Sequence, residues 1–217
     1  MLTHYMTIKT AGEHEIEIKK SRFICQLARV DSEAAAQTFI AACKKKHYKA
    51  NHNCSAYIIG ERDEHQHALD DGEPAGTAGV PMLEVLRRKQ LKNVVAVTTR
   101  YFGGTKLGAG GLIRAYSHSV SQAVTAIGLV VGRLQQALLV TISYAQIGSL
   151  EHYLEQQVIT VANTDYLADV TFTLMVNESE IAAVKTDLTE LLNGQVSFKL
   201  GQQQYFETEL KNTSDHN

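Results

Sequence analysis

The sequence predicts an α+β protein of two domains, and three observations lead there. From Ala137 onward the apolar pattern gives strand, helix, strand, strand, helix, strand. That βαββαβ order is the layout of a ferredoxin-like domain of about seventy residues. The pattern resets near Gly128–Arg133, and the balance of charge reverses at the same place. Residues 1–135 hold 18 Lys and Arg against 12 Asp and Glu, leaving +6; residues 136–217 hold 3 against 11, leaving −8. Thirdly, the earlier part mixes alternating and helical periodicities around two glycine-rich loops, so it is itself α+β. The boundaries expected are residues 1–132, 133–210 and a polar tail, KNTSDHN, over 211–217.

Taken in order, EIEIKKSRFICQLARV alternates apolar and polar residues, which predicts one or two strands from Glu15 to Val30. Asp31 and Ser32 suit the N-cap of a helix that ends near Lys46, where Lys44, Lys45, Lys46 and His47 meet the negative pole of its macrodipole. CSAYIIG, Cys54 to Gly60, reads as a strand, and Pro81 fits the first turn of a helix carrying Met82, Leu83, Val85 and Leu86. Asn93 leads into the apolar strand VVAVTT, and Leu112 to Ile127 reads as a helix. In the second domain the strands are expected at Ala137–Tyr144, Val158–Asn163, Leu167–Val176 and Gln195–Phe206, with Asn163-Thr164-Asp165 as a turn. Helices are expected at Ala145–Gln157 and Glu178–Leu192.

Composition narrows the class. The chain is 44% apolar and 20% charged, has no run of eighteen apolar residues and begins without a signal-peptide core, so no membrane association is expected. Three cysteines, Cys25, Cys43 and Cys54, are too few for a disulfide framework and lack zinc-site spacing, which predicts a cytoplasmic protein.

Two loops carry the chemistry. DDGEPAGTAGVP, Asp70 to Pro81, gathers Asp70, Asp71 and Glu73, with His65 and His67 just before. VVAVTTRYFGGTKLGAGGLIRAY, Val94 to Tyr116, places Gly103, Gly104, Gly108, Gly110 and Gly111 between a strand and a helix, with Arg100, Lys106 and Arg114 around them. Glycines at such a junction let backbone N–H groups approach a phosphate or a nucleic-acid backbone. The spacing is neither a Walker A loop nor a dinucleotide fingerprint. A competing reading has the glycines serving a tight crossover, with Arg100 paired to Asp70 or Asp71. Tyr101 and Phe102 flank the loop; consecutive strand residues face opposite sides, so at most one ring stacks on a base.

The acidic loop has three readings: a Mg²⁺ site for a phosphate-donor enzyme, ion pairs that position the cationic loop, or a cap for the helix at Pro81. His52 and Cys54 share a strand face as a candidate base and nucleophile, although a cysteine on an apolar strand ordinarily acts as a small hydrophobe. Lys44, Lys45, Lys46, His47, Lys49 and His52 either widen an anionic-ligand face or form a solvated helix end, and Arg87, Arg88 and Lys89 read alike. No peptidase or hydrolase motif is present, no cofactor is expected, and binding is favoured over catalysis.

DDGEPAGTAGVPML and VVAVTTRYFGGTKLGAGGLIRAY resemble the signature blocks of the IMPACT family, in particular its bacterial, YigZ-type branch. SRFICQLARV and NHNCSAYIIG match the same family upstream, so the resemblance runs from about Lys19 to Ala126. It implies an N-terminal domain like the second domain of ribosomal protein S-five, followed by a ferredoxin-like domain similar to those of elongation factor G. It also implies a link to translation: eukaryotic relatives regulate it by competing for the scaffold that activates the general-control kinase, using an extra N-terminal domain not expected here. The resulting expectation is a translation-linked regulator whose N-terminal domain binds RNA, the ribosome or a phosphorylated ligand. A Mg²⁺-dependent enzyme and a module that docks a translation factor remain the alternatives.

Overall fold

The alternation that opens the chain folds as a hairpin in the computed structural model, which describes residues 2–210. After β1 (His4–Ile8), strands β2 (Gly12–Ile18) and β3 (Ser21–Arg29) pair antiparallel from Gly12 opposite Leu27 to Ile18 opposite Ser21. Their turn is Lys19–Lys20, with φ of 48° and 66°. Helix α1 (Glu33–Lys46) follows, capped by Ser32, whose hydroxyl accepts the Ala35 N–H at 3.3 Å. Next come β4 (His52–Ile59), β5 (His65–Leu69), α2 (Gly79–Arg88), β6 (Val94–Tyr101) and α3 (Ala109–Ile127).

The sheet has the order β2-β3-β6-β4-β5, and every pairing is antiparallel. Its two faces separate by residue parity. Phe23, Cys25, Leu27, Val94 and Ala96 join Met82 and Leu86 of α2 and Tyr116 and Val120 of α3 in one core. Ala28, Val30, Tyr57, Val95 and Val97 meet Ala36, Ile40 and Cys43 of α1 in another. Helices therefore cover both faces, which explains why the central strand β6 is apolar without alternation. Strands β1 and β5 were not expected from the sequence. Helix α3 starts three residues before the expected Leu112, so Gly110 and Gly111 lie inside its first turn.

Beyond α3 the chain forms β7 (Leu129–Ile142), α4 (Ile147–Gln157), β8 (Thr160–Tyr166), β9 (Val170–Val176), α5 (Ile181–Leu191) and β10 (Ser197–Glu209). These strands are ordered β10-β7-β9-β8, the ferredoxin-like arrangement. Leu150 and Leu154 of α4 and Val184 and Leu188 of α5 pack on Leu138, Val140, Phe172 and Leu174. One expectation is corrected here: Asn163-Thr164-Asp165 is strand, not turn. A bulge between Val161 and Asn163 absorbs the irregularity, and the reversal comes at Leu167–Asp169, where the Leu167 N–H donates to the Asp169 carbonyl at 3.1 Å.

The chain divides into two compact units. The first runs to Val131 and takes up the chain again from Thr208; the second is Gly132–Glu207. The boundary falls within β7, so no linker sequence marks it. The polar tail expected over 211–217 lies outside the described residues. Among those described, no helix is long and apolar enough to cross a membrane.

Candidate functional site

The acidic loop is held by its own carboxylates. Asp70 accepts the Gly76 N–H at 2.7 Å on one oxygen, and the N–H groups of Ala78 and Gly79 at 3.0 and 2.9 Å on the other. It thereby supplies the cap that α2 lacks at its own N-cap, Ala78. Burial alone would raise this carboxyl; the three N–H donors outweigh it and hold it below its ordinary value. Asp71 receives Lys44 Nζ and the Asn53 N–H, both at 2.7 Å. These bonds likewise overcome burial and lower its pKa.

Glu73 is the third carboxylate, and it is buried. Its Oε1 accepts Arg100 Nη1 at 2.6 Å and the Tyr116 hydroxyl at 2.8 Å. The Arg100–Glu73 pair is 6% and 4% exposed at its side chains, so Arg100 is an interior residue rather than a surface cation. In the competing reading the partner of Arg100 was Asp70 or Asp71; Glu73 holds it instead, and both aspartates accept the donors described above. Arg100 continues the linkage: its Nη2 lies 3.4 Å from Ser21 Oγ, which also accepts the Gly103 N–H at 3.1 Å. The guanidinium lies between the Phe23 and Phe102 rings, 5.4 and 5.5 Å from their centroids.

With the three carboxylates engaged in this way, they do not converge on a common point. Among the described residues no group of three His, Cys, Asp or Glu side chains is placed to hold a metal ion. The candidate Cys–His pair is also occupied. His52 Nδ1 lies 2.9 Å from the Asp71 carbonyl, and the Cys54 thiol donates to the Asp70 carbonyl at 2.9 Å. Burial pushes that thiol up to about 12, which leaves it protonated and unreactive at neutral pH. Cys25 and Cys43, also buried, are pushed up to about 12 and about 11.

The glycine loop is built differently. At Gly103 a Cβ would stand 2.0 Å from the Lys20 carbonyl, so the loop lies directly on the β2–β3 turn. Gly104, at φ 84°, has open space around it, as do Gly108 and, apart from Arg114, Gly110. Gly111 meets only Leu107. Helix α3 has Gly108 at its N-cap and so no side-chain cap. Lys106 and Arg114 are exposed and make no ion pair among the described residues. Tyr101 is half-buried, its hydroxyl 3.1 Å from His47 Nδ1 and its ring under Arg22; the ring left open at this edge is Phe102, 46% exposed.

The basic run that ends α1 is mostly committed to the fold. Lys44 pairs with Asp71 and Lys46 with Glu13, His47 meets Tyr101, and Lys49 lies over the Tyr48 ring. Arg87 bonds Glu84 and Gln66, whereas at the end of α2 Arg88 is exposed, its Nε 3.4 Å from the Glu84 carbonyl, and Lys89 is half-buried. The parts played by Ser21, Tyr116 and the Lys19–Lys20 turn were not expected from the sequence. Two consecutive lysines between alternating segments were the available signal for that turn; nothing local marked Ser21 or Tyr116, whose roles depend on contacts 79 and 43 residues away.

Similarity to known proteins agrees with this layout. The Impact N-terminal domain family matches residues 19–124, and the family described as Domain of unknown function (DUF1949) matches residues 140–195. The chain is 51% identical over 207 residues to the IMPACT family member YvyE of Bacillus subtilis, covering 95% of each. It is 36% identical over 180 residues to the IMPACT family member YigZ of Escherichia coli, covering 82% of this chain and 88% of that one. A solved structure described as that of a hypothetical protein superposes with a TM-score of 0.59 at 32% identity, over 91% of this chain and 97% of its own. Both segments of the sequence, in this order and over nearly their full length, thus have counterparts in one family, and the chain belongs to the IMPACT family.

Proposed function

We propose that the first unit binds the phosphate backbone of RNA, free or on the ribosome, and that the protein acts in the cytoplasm as a modulator of translation. One observation carries this reading: of the cations around the glycine loop, Lys106 and Arg114 have no ion-pair partner among the described residues, while Arg100 and the carboxylates of the neighbouring loop are engaged. Lys106 and Arg114, joined by Lys19, Lys20 and Lys89, present charge that no carboxylate among the described residues pairs with. A surface of that kind attracts polyanions by releasing condensed counterions. The mode of action is occupancy, because Asp70, Asp71, Glu73, His52 and Cys54 beside the loop are committed to structure.

The test is binding of the full chain to ribosomal subunits and to single-stranded RNA across a salt series, with Lys106→Ala/Arg114→Ala as control. Losing two phosphate contacts should flatten the dependence of log K on log salt by about 1.4. Unchanged affinity and slope in that variant would remove the reading. Absence of RNA affinity together with co-purification of a protein would favour the docking-module alternative.

A further inference from the structure

A cleft of about 810 Å³ lies beside the glycine loop on the first unit. Its sides come from the β2–β3 turn, the last turn of α2 and the outer face of α3. The lining is mixed in a specific way. Ile18, Val85, Leu107, Ile113 and Ala115 provide an apolar floor, and Ile113 is left 41% exposed there. Lys19, Arg88, Lys89 and Arg114 stand around it with His118, and Ser117 and Ser121 add hydroxyls. Among the described residues no carboxylate lines it.

The backbone at one side is also unusual. Both residues of the two-residue β2–β3 turn are left-handed, a conformation in which Asn-Gly is relaxed and lysine is not. Keeping lysines there places two cations beside the cleft at the expense of backbone strain. Strained backbone of this kind clusters at ligand-binding edges, and here it borders the cleft.

We infer that this cleft takes unpaired bases of single-stranded RNA, with the flanking phosphates on Lys19, Arg88, Lys89 and Arg114. The inference rests on the reading of the first unit as an RNA-binding body and says which RNA it prefers. Charge complementarity selects a polyanion. The apolar floor selects one that brings flat apolar faces with its charges, which a free phosphate does not. Duplex RNA keeps its bases stacked inside the helix and offers phosphates and 2′-hydroxyls, whereas unpaired nucleotides can be splayed out and laid on apolar, His or Arg surfaces.

The experiment compares a labelled single-stranded RNA with a duplex of the same length, at low salt, for the full chain and three variants. Ile113→Asn removes the apolar floor without adding charge, and Ser121→Leu plugs the cleft without supplying a ring for stacking. Lys106→Ala/Arg114→Ala reports on phosphate contacts. The parent chain should bind the single strand at least tenfold more tightly than the duplex. Ile113→Asn and Ser121→Leu should each erase that preference while keeping the thermal transition, and the double-alanine variant should weaken both RNAs. Equal binding of the two RNAs, or a preference untouched by both cleft variants, overturns the inference and leaves RNA binding standing. No binding of either RNA at low salt overturns both readings and leaves the cleft to another class of partner, such as an acidic amphipathic helix.

Discussion

The acidic loop and the glycine loop of the first unit look alike as sequences: each is short, charged and rich in glycine. In the fold they are opposites. Asp70, Asp71 and Glu73 spend their charge inward, on backbone N–H groups, Lys44 and Arg100. Lys106 and Arg114 keep theirs outward. Charge density in a loop therefore does not by itself mark a ligand site, because the fold can use that charge internally. The two loops are also linked, since Glu73, Arg100, Ser21 and Gly103 form one continuous chain of contacts. The acidic loop acts as a brace for the open one.

The strongest way to break this contrast is to remove the brace. Glu73→Ala leaves the Arg100 guanidinium buried without its counter-charge, which should cost about 3–5 kcal/mol. Urea unfolding of the first unit would read it, and a loss under 1 kcal/mol would mean that the ion pair is not structural. Within the glycine loop, Gly103→Ala drives a methyl into the Lys20 carbonyl and should cost about 2–3 kcal/mol, more than Gly104→Ala, where only the left-handed backbone resists. Equal losses at the two positions would show that the loop does not lie on the β2–β3 turn as described.

A smaller effect, and one that depends on pH, is expected at Asp70. Asp70→Asn weakens the cap of α2 and should cost about 1–2 kcal/mol at neutral pH. The folded carboxyl titrates below its ordinary 3.8, so its stabilising contribution is full above that value and is lost as the pH falls through the folded value. The gap between parent and variant should therefore close on acidification below about pH 4. A gap that stays constant would mean that the charge on Asp70 plays no part. The smallest change in stability belongs to the open loop: Lys106→Ala and Arg114→Ala should each stay within about 0.5 kcal/mol of the parent. Their effect should be confined to anion binding.

What could be read from the sequence followed from local rules. Ser32 capped its helix because a hydroxyl before an apolar-periodic run has few other roles. The βαββαβ order was legible because the second unit alternates strands and helices at regular spacing. Strand β5 was missed because HQHAL is a short edge strand, exposed at three of its five residues and with little apolar content. The Asn163-Thr164-Asp165 turn was misplaced because a bulge lets polar residues remain in a strand. At the candidate site, Arg100 was expected among the ligand-binding cations, with Asp70 or Asp71 as its partner only in the competing reading; the structure pairs it with Glu73. Three acidic residues within four positions compete for it, and only the packing of β3, β6 and α3 decides. The cleft along α3 was illegible for a similar reason: Ile113 and Arg114 become its floor and rim only when the Lys19–Lys20 turn and the end of α2 are brought alongside.

The thiols give the first unit a built-in clock. All three cysteines of the chain lie in it, on β3, α1 and β4, buried and protonated, and the second unit has none. A thiol reagent can reach them only when the elements around them open, so the rate of modification measures the opening of the first unit while remaining silent to the second. Labelling kinetics followed as a function of RNA concentration would then report, in one untagged molecule, how tightly a bound ligand holds that unit closed.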